Sequence, residues 1–294
     1  MCGIVGLYLK NPALGPALGR HVTAMLTEMS ERGPDSAGFA VYRDGAGDAD
    51  VLKLTLHHAD PAYDWDALAA GIHGSAERRS SHAVVRTPWS MDRARARIET
   101  AHAGVRIMGC GRRIELYKET GVPDEVARRF DLAHMSGTHA IGHTRLATES
   151  AVTTEHSHPF STGLDLCLVH NGSLSNHNRL RLFLKHRGIR FETDNDTEVA
   201  AGYVTWRMSE GASLSEALES GLKDLDGFYT FAVGTRDGFA VLRDGFACKP
   251  AVLAETDDWV AMASEYRSIA PLPGAERAKV WEPKPATVYS WGRA

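Results

Sequence analysis

The first seven residues, Met1-Cys-Gly-Ile-Val-Gly-Leu7, place a cysteine directly after the initiator methionine and at the start of an apolar strand. Removal of Met1 would make Cys2 the amino terminus. A terminal cysteine carries a nucleophile and a base on one residue, because its α-amino group, with an unperturbed pKa of about 7.7 to 8.0, can take the thiol proton. The fold must then anchor this strand rigidly. Taken alone, a cysteine near a start codon is also typical of an incidental small residue.

Composition narrows the class of protein. The chain has 33 basic and 37 acidic residues and a formal net charge of -4, which argues against a general nucleic-acid surface. No apolar run is long enough to span a membrane, and the N-terminal region lacks the features of a signal peptide. The four cysteines form no CxxC pair, so no cofactor or metal is predicted on this chain. A cytoplasmic protein is the expectation.

Hydrophobic periodicity divides the chain into a core and an insert. Helical spacing recurs over residues 22–29, and the glycines and proline of the segment 32–38 impose a turn before a strand over 39–42. Between about 51 and 135, short strands and helices alternate. This alternation predicts a small α/β lobe inserted between two core strands.

The segment Ala140-Ile-Gly-His-Thr-Arg-Leu-Ala-Thr148 brings an arginine and then a threonine to the end of a predicted strand. Arg145 and Thr148 suit a carboxylate, because a guanidinium binds it bidentately and a hydroxyl adds a further hydrogen bond. Taken alone, Arg145 is more typical of a surface or ion-pair residue. His156 and His158 could bind a metal, but no carboxylate or cysteine follows at ligand spacing, and an ordinary loop is the simpler interpretation.

A second polar segment, Asn171-Gly172, ends a predicted buried strand. An asparagine amide beside a glycine N–H offers two neutral donors that can converge on one point, which is the geometry of an oxyanion hole. An Asn-Gly turn is the ordinary alternative.

The next helix opens with acidic residues, in Asp194-Asn-Asp196-Thr-Glu198. Such residues are ordinary capping partners, although one of these carboxylates could instead face a substrate ammonium. A capping box at 213–216 predicts a further helix, and four strands joined by tight turns between about 228 and 263 predict an antiparallel sheet.

Six stretches, in the order MCGIVG, RGPDSAG, GHTRLAT, HPF, VHNG and DNDTEVAA, together resemble the class II glutamine amidotransferases. The resemblance covers residues 1 to about 45 and 138 to about 265. It implies an α+β fold of the four-layer αββα N-terminal nucleophile hydrolase type, with stacked antiparallel sheets. One amidotransferase domain is expected over residues 1–294, with the insertion at about 51–135.

The resemblance implies a catalytic role for three residues. Cys2 is expected to attack the side-chain amide of L-glutamine, and Asn171 and Gly172 are expected to form the oxyanion hole. The reaction would release ammonia and leave a γ-glutamyl thioester, which water cleaves to glutamate.

Four further residues match positions that bind the substrate. Arg145 and Thr148 correspond to residues that hold the α-carboxylate, and Asp196 to the residue that pairs with the α-ammonium. Arg32 lies in the motif that closes around the catalytic end. Opposite charges would thus hold the two ends of a zwitterion, while neutral donors await the charge that develops between them.

No isomerase, phosphoribosyltransferase or ATP-pyrophosphatase segment follows the glutaminase motifs, so the ammonia acceptor is expected on another polypeptide. This architecture most resembles the free-standing glutaminase-like subunit of glutamate-synthase-type systems, including N-methylglutamate synthase. In those systems a separate synthase subunit carries the flavin and the iron–sulfur cluster. Two alternatives stay open: a non-catalytic assembly or regulatory subunit, and an N-terminal nucleophile hydrolase that acts on another amide.

Overall fold

The computed structural model of the protein describes residues 2–43, 51–147 and 151–292. Its strands are β1 (Gly3–Leu9), β2 (Ser36–Tyr42), β3 (Leu52–His57), β4 (Ser75–Arg79), β5 (His82–Thr87), β6 (Arg106–Gly111), β7 (Ile114–Thr120), β8 (His139–Arg145), β9 (Phe160–Gly163), β10 (Leu166–Leu174), β11 (Gly227–Thr235), β12 (Gly238–Arg243), β13 (Val252–Glu255), β14 (Trp259–Ala263), β15 (Lys279–Trp281) and β16 (Val288–Gly292). Its α-helices are α1 (Leu18–Thr27), α2 (Trp65–Gly71), α3 (Met91–Ala101), α4 (Pro123–Arg129), α5 (His177–Lys185), α6 (Asp196–Ser209) and α7 (Leu214–Asp224).

Two sheets stack face to face in the core. The first has seven strands in the order β15-β13-β14-β1-β8-β2-β7, and the second has five in the order β16-β12-β11-β10-β9. Apolar side chains of both sheets fill the space between them, including Ile4 and Ile141 from the first and Val169 and Phe239 from the second. Helices α1 and α4 cover the outer face of the first sheet, and α5, α6 and α7 cover that of the second. The predicted four-layer αββα fold is confirmed.

The N-terminal strand lies in the middle of the first sheet. β1 pairs antiparallel with β14 on one side and with β8 on the other. Both of its edges are therefore hydrogen-bonded, which fixes the chain immediately after Cys2. Among the described residues, no helix has the length and apolar character needed to cross a membrane.

The insert forms its own small sheet of four strands, in the order β4-β5-β3-β6, packed with α2 and α3 around a separate apolar core. The sequence predicted that this lobe extends to about residue 135, but its last strand ends at Gly111. Strand β7 instead pairs along β2 in the first sheet, and α4 packs into the core beneath that sheet. The separate lobe is shorter than predicted because the chain from 114 onward returns to the core.

Asp165 fixes the point where the chain leaves the lobe. This buried residue lies in the β9–β10 turn with φ of +52°, a conformation that aspartate tolerates better than most residues. Its carboxylate accepts the backbone N–H groups of Arg112, Arg113 and Ile114 at 2.8 to 3.0 Å. The connection from β6 to β7 is therefore held by one side chain of the core.

The C-terminal strands were predicted as one antiparallel sheet, but they divide between two. The hairpin β11–β12 belongs to the second sheet, whereas β13–β14 belongs to the first. Strand β10 also runs on through Gly172 to Leu174 instead of ending there, because it stays paired with β11 from Cys167 to Leu174. This continuation places Asn171 and Gly172 inside a strand.

Candidate active site

Cys2 precedes the central strand of the first sheet. Gly3 pairs with Thr144 of β8, so Cys2 lies next to the end of β8, where Arg145 is the last strand residue. The carbonyl oxygen of Cys2 accepts one hydrogen bond from Arg32 Nε and one from Asn171 Nδ2, both at 3.1 Å. Three residues that the sequence assigned to the site therefore meet at one peptide group.

Arg32 follows α1 and is held from two sides. Its guanidinium contacts the Cys2 carbonyl through Nε and forms an ion pair with Glu265 through the NH1 group. Glu265 also pairs with Arg267 at 2.8 Å. The hydrogen bond from Arg32 lowers the pKa of Glu265 and keeps it ionised. Glu265 was not predicted, because an acidic residue just after a strand carries no local signal of its distant partner.

Asn171 has hydrogen-bond partners on both sides of its amide. Its Nδ2 group donates to Ser264 Oγ at 3.2 Å as well as to Cys2, and Ser264 Oγ accepts the N–H of Ile4 at 2.9 Å. On the other side, Asn171 Oδ1 lies 3.2 Å from His143 Nε2. The structure thus adds His143 and Ser264, which sequence reasoning missed, to the surroundings of the predicted oxyanion donor.

Gly172 occupies a position that only glycine fits. Its φ is +141°, and an added Cβ would lie 1.9 Å from the carbonyl oxygen of Phe228 on the neighbouring strand. Strands β10 and β11 therefore approach closely just beside Asn171.

Asp196 is the first residue of α6 and is tied to the same strand as Asn171. Its Oδ2 accepts the N–H of Leu174 at 2.9 Å, and its Oδ1 lies 3.7 Å from His170 Nδ1. Burial raises the pKa of this carboxyl, but the His170 side chain and the Leu174 N–H outweigh burial and lower the pKa to about 2. Asp196 is therefore ionised at neutral pH, as a partner for an ammonium group must be.

Of the two residues predicted to bind the substrate α-carboxylate, only one lies within the described residues. Arg145 is buried at the end of β8 and donates through NH1 to the carbonyl oxygen of Ala151 at 3.2 Å. Thr148 lies outside the described residues.

The two histidines of the HxH pair have separate environments. His156 hydrogen-bonds Thr153 and lies 3.0 Å from Asp194, whereas His158 is buried and stacks on His143 with ring centroids 4.0 Å apart. Within the described ranges, no group of three or more His, Cys, Asp or Glu side chains is arranged to hold a metal ion.

Two stacked antiparallel sheets between helical layers, with a cysteine at the start of a central strand, define the N-terminal nucleophile hydrolase class of fold. A family model described as a glutamine amidotransferase domain matches residues 143–271. The glutamine amidotransferase-like protein GlxB of Rhizobium meliloti is 54% identical over 99% of this chain and 98% of its own length. The chain therefore belongs to the class II glutamine amidotransferases, a family of enzymes.

Two further similarities cover only part of the related proteins. A glutamine–fructose-6-phosphate aminotransferase from Vibrio vulnificus is 37% identical over 46% of this chain and 22% of its own length. The solved structure of a glutamine phosphoribosylpyrophosphate amidotransferase from B. subtilis superposes with a TM-score of 0.61 at 21% identity, over 99% of this chain and 49% of that one. This chain thus spans about half of that structure, and the likeness shows the fold.

Proposed function

We propose that this chain hydrolyses L-glutamine to glutamate and ammonia with Cys2 as an N-terminal nucleophile. The observation that carries the proposal is the double hydrogen bond to the Cys2 carbonyl, because Arg32 and Asn171 come from distant parts of the sequence to hold that residue. These two contacts place Cys2 beside Asn171, the residue proposed as the oxyanion donor.

The proposed reaction begins when the Cys2 sulfur attacks the side-chain amide carbon of glutamine. The thiol proton moves to the α-amino group of Cys2, which exists once Met1 is removed, and then to the leaving nitrogen. Asn171 and the Gly172 N–H stabilise the tetrahedral oxyanion, and its collapse expels ammonia and leaves a γ-glutamyl thioester. Water then attacks the thioester carbon, which releases glutamate and restores the thiol.

The substrate would be held by its α-amino and α-carboxylate groups. Asp196 is ionised and offers a partner for the ammonium, while Arg145 and Thr148 are proposed to bind the carboxylate. A ligand with the wrong charge at either end would bring like charges together at Asp196 or Arg145, which supports selectivity for an amino acid.

We further propose that the ammonia or the glutamyl unit passes to a separate synthase subunit of the glutamate-synthase or N-methylglutamate-synthase kind. That subunit would carry the flavin and the iron–sulfur cluster. The support is the glutamine amidotransferase domain itself, because the ammonia that such a domain releases needs an acceptor. Purification of the tagged chain from its native host, followed by flavin absorbance and iron analysis of whatever binds it, tests the proposal.

The intact mass of the purified protein before and after treatment with 6-diazo-5-oxo-L-norleucine tests the glutaminase itself. We expect a chain without Met1 that gains one adduct mapped to Cys2, and a Cys2→Ala variant that gains none. Ammonia release from L-glutamine but not from L-asparagine should accompany labelling. A chain that keeps Met1 and stays unlabelled would instead indicate the non-catalytic subunit, and activity on other amides alone would indicate a different hydrolase.

A further inference from the structure

The Asn171 amide lies between two groups whose hydrogen-bonding roles are fixed by chemistry. On one side is the Cys2 carbonyl oxygen, 3.1 Å from Asn171 Nδ2, which can only accept. On the other is His143 Nε2, which lies 3.2 Å from Asn171 Oδ1 and 3.2 Å from the carbonyl oxygen of His170. Because the His170 carbonyl oxygen can only accept a hydrogen bond, Nε2 must carry the proton of the imidazole whichever way the Asn171 amide is turned.

The proton on His143 Nε2 fixes the orientation of the Asn171 amide. If the Asn171 amide were rotated by half a turn, its NH₂ group would face the N–H of His143 and its oxygen would face the Cys2 carbonyl. Two donors and two acceptors would then oppose one another in a buried site, where an unmade hydrogen bond costs about 1 to 3 kcal/mol. Ser264 does not discriminate between the two orientations, because its hydroxyl can both donate and accept.

We propose that His143 is a positioning residue for glutamine hydrolysis, which holds the Asn171 amide with its NH₂ group toward the nucleophile. The inference rests on the proposed glutaminase function and deepens it. In this role, His143 does not touch the substrate and acts only through Asn171. Its own position is fixed by the His158 ring, which stacks on it with ring centroids 4.0 Å apart, and by the strand pairing of β8.

The neutral form of His143 is the one that this role needs. Burial lowers the pKa of His143 to about 3, so that the ring carries one proton over the whole physiological range. The hydrogen bonds to Asn171 and to the His170 carbonyl raise the pKa of His143, but burial outweighs them. A neutral ring at this place donates a hydrogen bond to Asn171 without adding a charge to the site.

A histidine buried between two sheets could also contribute only to packing. A matched control variant separates this packing role from the proposed positioning role. His139 lies four residues earlier on β8, is likewise buried, and stacks on Tyr42 with ring centroids 4.1 Å apart. Its Nε2 lies 2.8 Å from the carbonyl oxygen of Thr235, five residues along β11 from Thr230, the residue paired with Asn171. His139→Leu and His143→Leu therefore remove the same chemistry from the same strand.

The decisive experiment is a double-mutant cycle on steady-state glutamine hydrolysis. His143→Leu should lower kcat about 10- to 100-fold with little change in KM, because the buried Asn171 amide loses a hydrogen-bond partner. Asn171→Ala should lower kcat about 100- to 1,000-fold. In the Asn171→Ala background, His143→Leu should have no further effect on kcat. His143→Gln, whose amide can still donate to Asn171 Oδ1, should restore most of the activity, and His139→Leu should leave kcat unchanged while lowering the melting temperature.

The outcomes separate the two proposals. Multiplicative losses in the double variant, or equal losses of kcat from His139→Leu, would show that His143 is only structural and would overturn the inference. An Asn171→Ala variant with normal kcat would instead refute the oxyanion role in the proposed function. Circular dichroism and thermal melts of every variant confirm that the kcat values come from folded protein.

Discussion

Arg32 Nε donates a hydrogen bond to the carbonyl oxygen of Cys2 at 3.1 Å. The contact holds the residue proposed as nucleophile by its main chain and leaves its sulfur out of the interaction. The Cys2 sulfur itself lies 3.7 Å from the carbonyl oxygen of Leu146. The position of the nucleophile is therefore set by a side chain whose own anchor is Glu265.

Replacing Glu265 with glutamine should weaken that anchor without removing Arg32. The Glu265 side chain is one-third exposed, so the loss is expected to be only about 1 kcal/mol, or roughly a fivefold decrease in kcat/KM for glutamine. Steady-state kinetics and the rate of labelling by 6-diazo-5-oxo-L-norleucine measure it. The control is Glu276→Gln, since Glu276 pairs with Arg277 and both side chains are largely exposed. Equal rates for wild type and Glu265→Gln would show that Arg32 needs no anchor.

Gly172→Ala should abolish glutamine hydrolysis. The new Cβ would overlap the Phe228 carbonyl, so β10 and β11 must separate beside Asn171, and we expect kcat to fall at least about 100-fold, as for loss of an oxyanion donor. Gly188→Ala is the control, because Gly188 also has a positive φ, of +84°, but no atom lies within 4 Å of its added Cβ. That variant should lose about 1 to 2 kcal/mol of stability and keep its activity. Full activity in Gly172→Ala would contradict the close approach of the strands.

Asp165→Asn should destabilise the fold, because it weakens the hydrogen bonds at the point where the chain leaves the inserted lobe. Asparagine keeps the shape and tolerates the left-handed backbone, but it replaces an acceptor oxygen with an NH₂ group beside the Arg112 N–H. We expect a loss of about 2 kcal/mol in the free energy of unfolding, measured by urea denaturation. Asp237→Asn, at an exposed ion pair with Arg236, should change stability by less than about 0.5 kcal/mol. Similar values for the two variants would mean that Asp165 does not brace the connection.

Lys118 predicts a pH dependence of stability. Its Nζ donates to the carbonyl oxygens of Glu155 and Ser157 at 3.0 and 2.9 Å, and burial lowers its pKa to about 8. The folded pKa lies below the unfolded value of about 10.4, so the unfolded chain binds more protons between these values. The Lys118 contribution to the free energy of unfolding should therefore rise with pH from about 8 to 10.

Urea denaturation at pH 8, 9 and 10 measures this contribution as a difference between wild type and Lys118→Met. From pH 8 to 10, the free energy of unfolding of the wild type should rise relative to that of Lys118→Met by about 1 to 3 kcal/mol. Lys185→Met, at an exposed position of α5, should follow the wild-type curve in slope. Parallel curves for wild type and Lys118→Met would show that this lysine keeps an ordinary pKa.

Local patterns predicted most elements of the core. The helical spacing over residues 22–29 corresponds to α1, and the capping box of Ser213 and Glu216 is present at the start of α7. The predicted C-terminal end of the insert was wrong, because Ile114 and Leu116 form the same apolar pattern whichever sheet their strand joins. Pairing partners are a tertiary property, and no period of two or 3.6 residues encodes them.

In the candidate site, too, local motifs were predicted from the sequence, whereas their tertiary partners were not. The motifs contained Cys2, Arg32 and Asn171, and the structure brings these three together. Their supporting residues were not found. His143 is separated from Asn171 by 28 residues, and Glu265 from Arg32 by 233, so only the folded chain shows that either has a partner in the site.

The central position of β1 also sets the order of events during synthesis. β1 precedes the other described strands in the sequence, yet its partners are β8, at residues 139–145, and β14, at residues 259–263. Pairing at such sequence separation is slow, because the intervening chain must be brought together first. β1 can therefore pair with β8 before β14 has been made, and a fragment that stops before β14 leaves the other side of β1 without its partner strand.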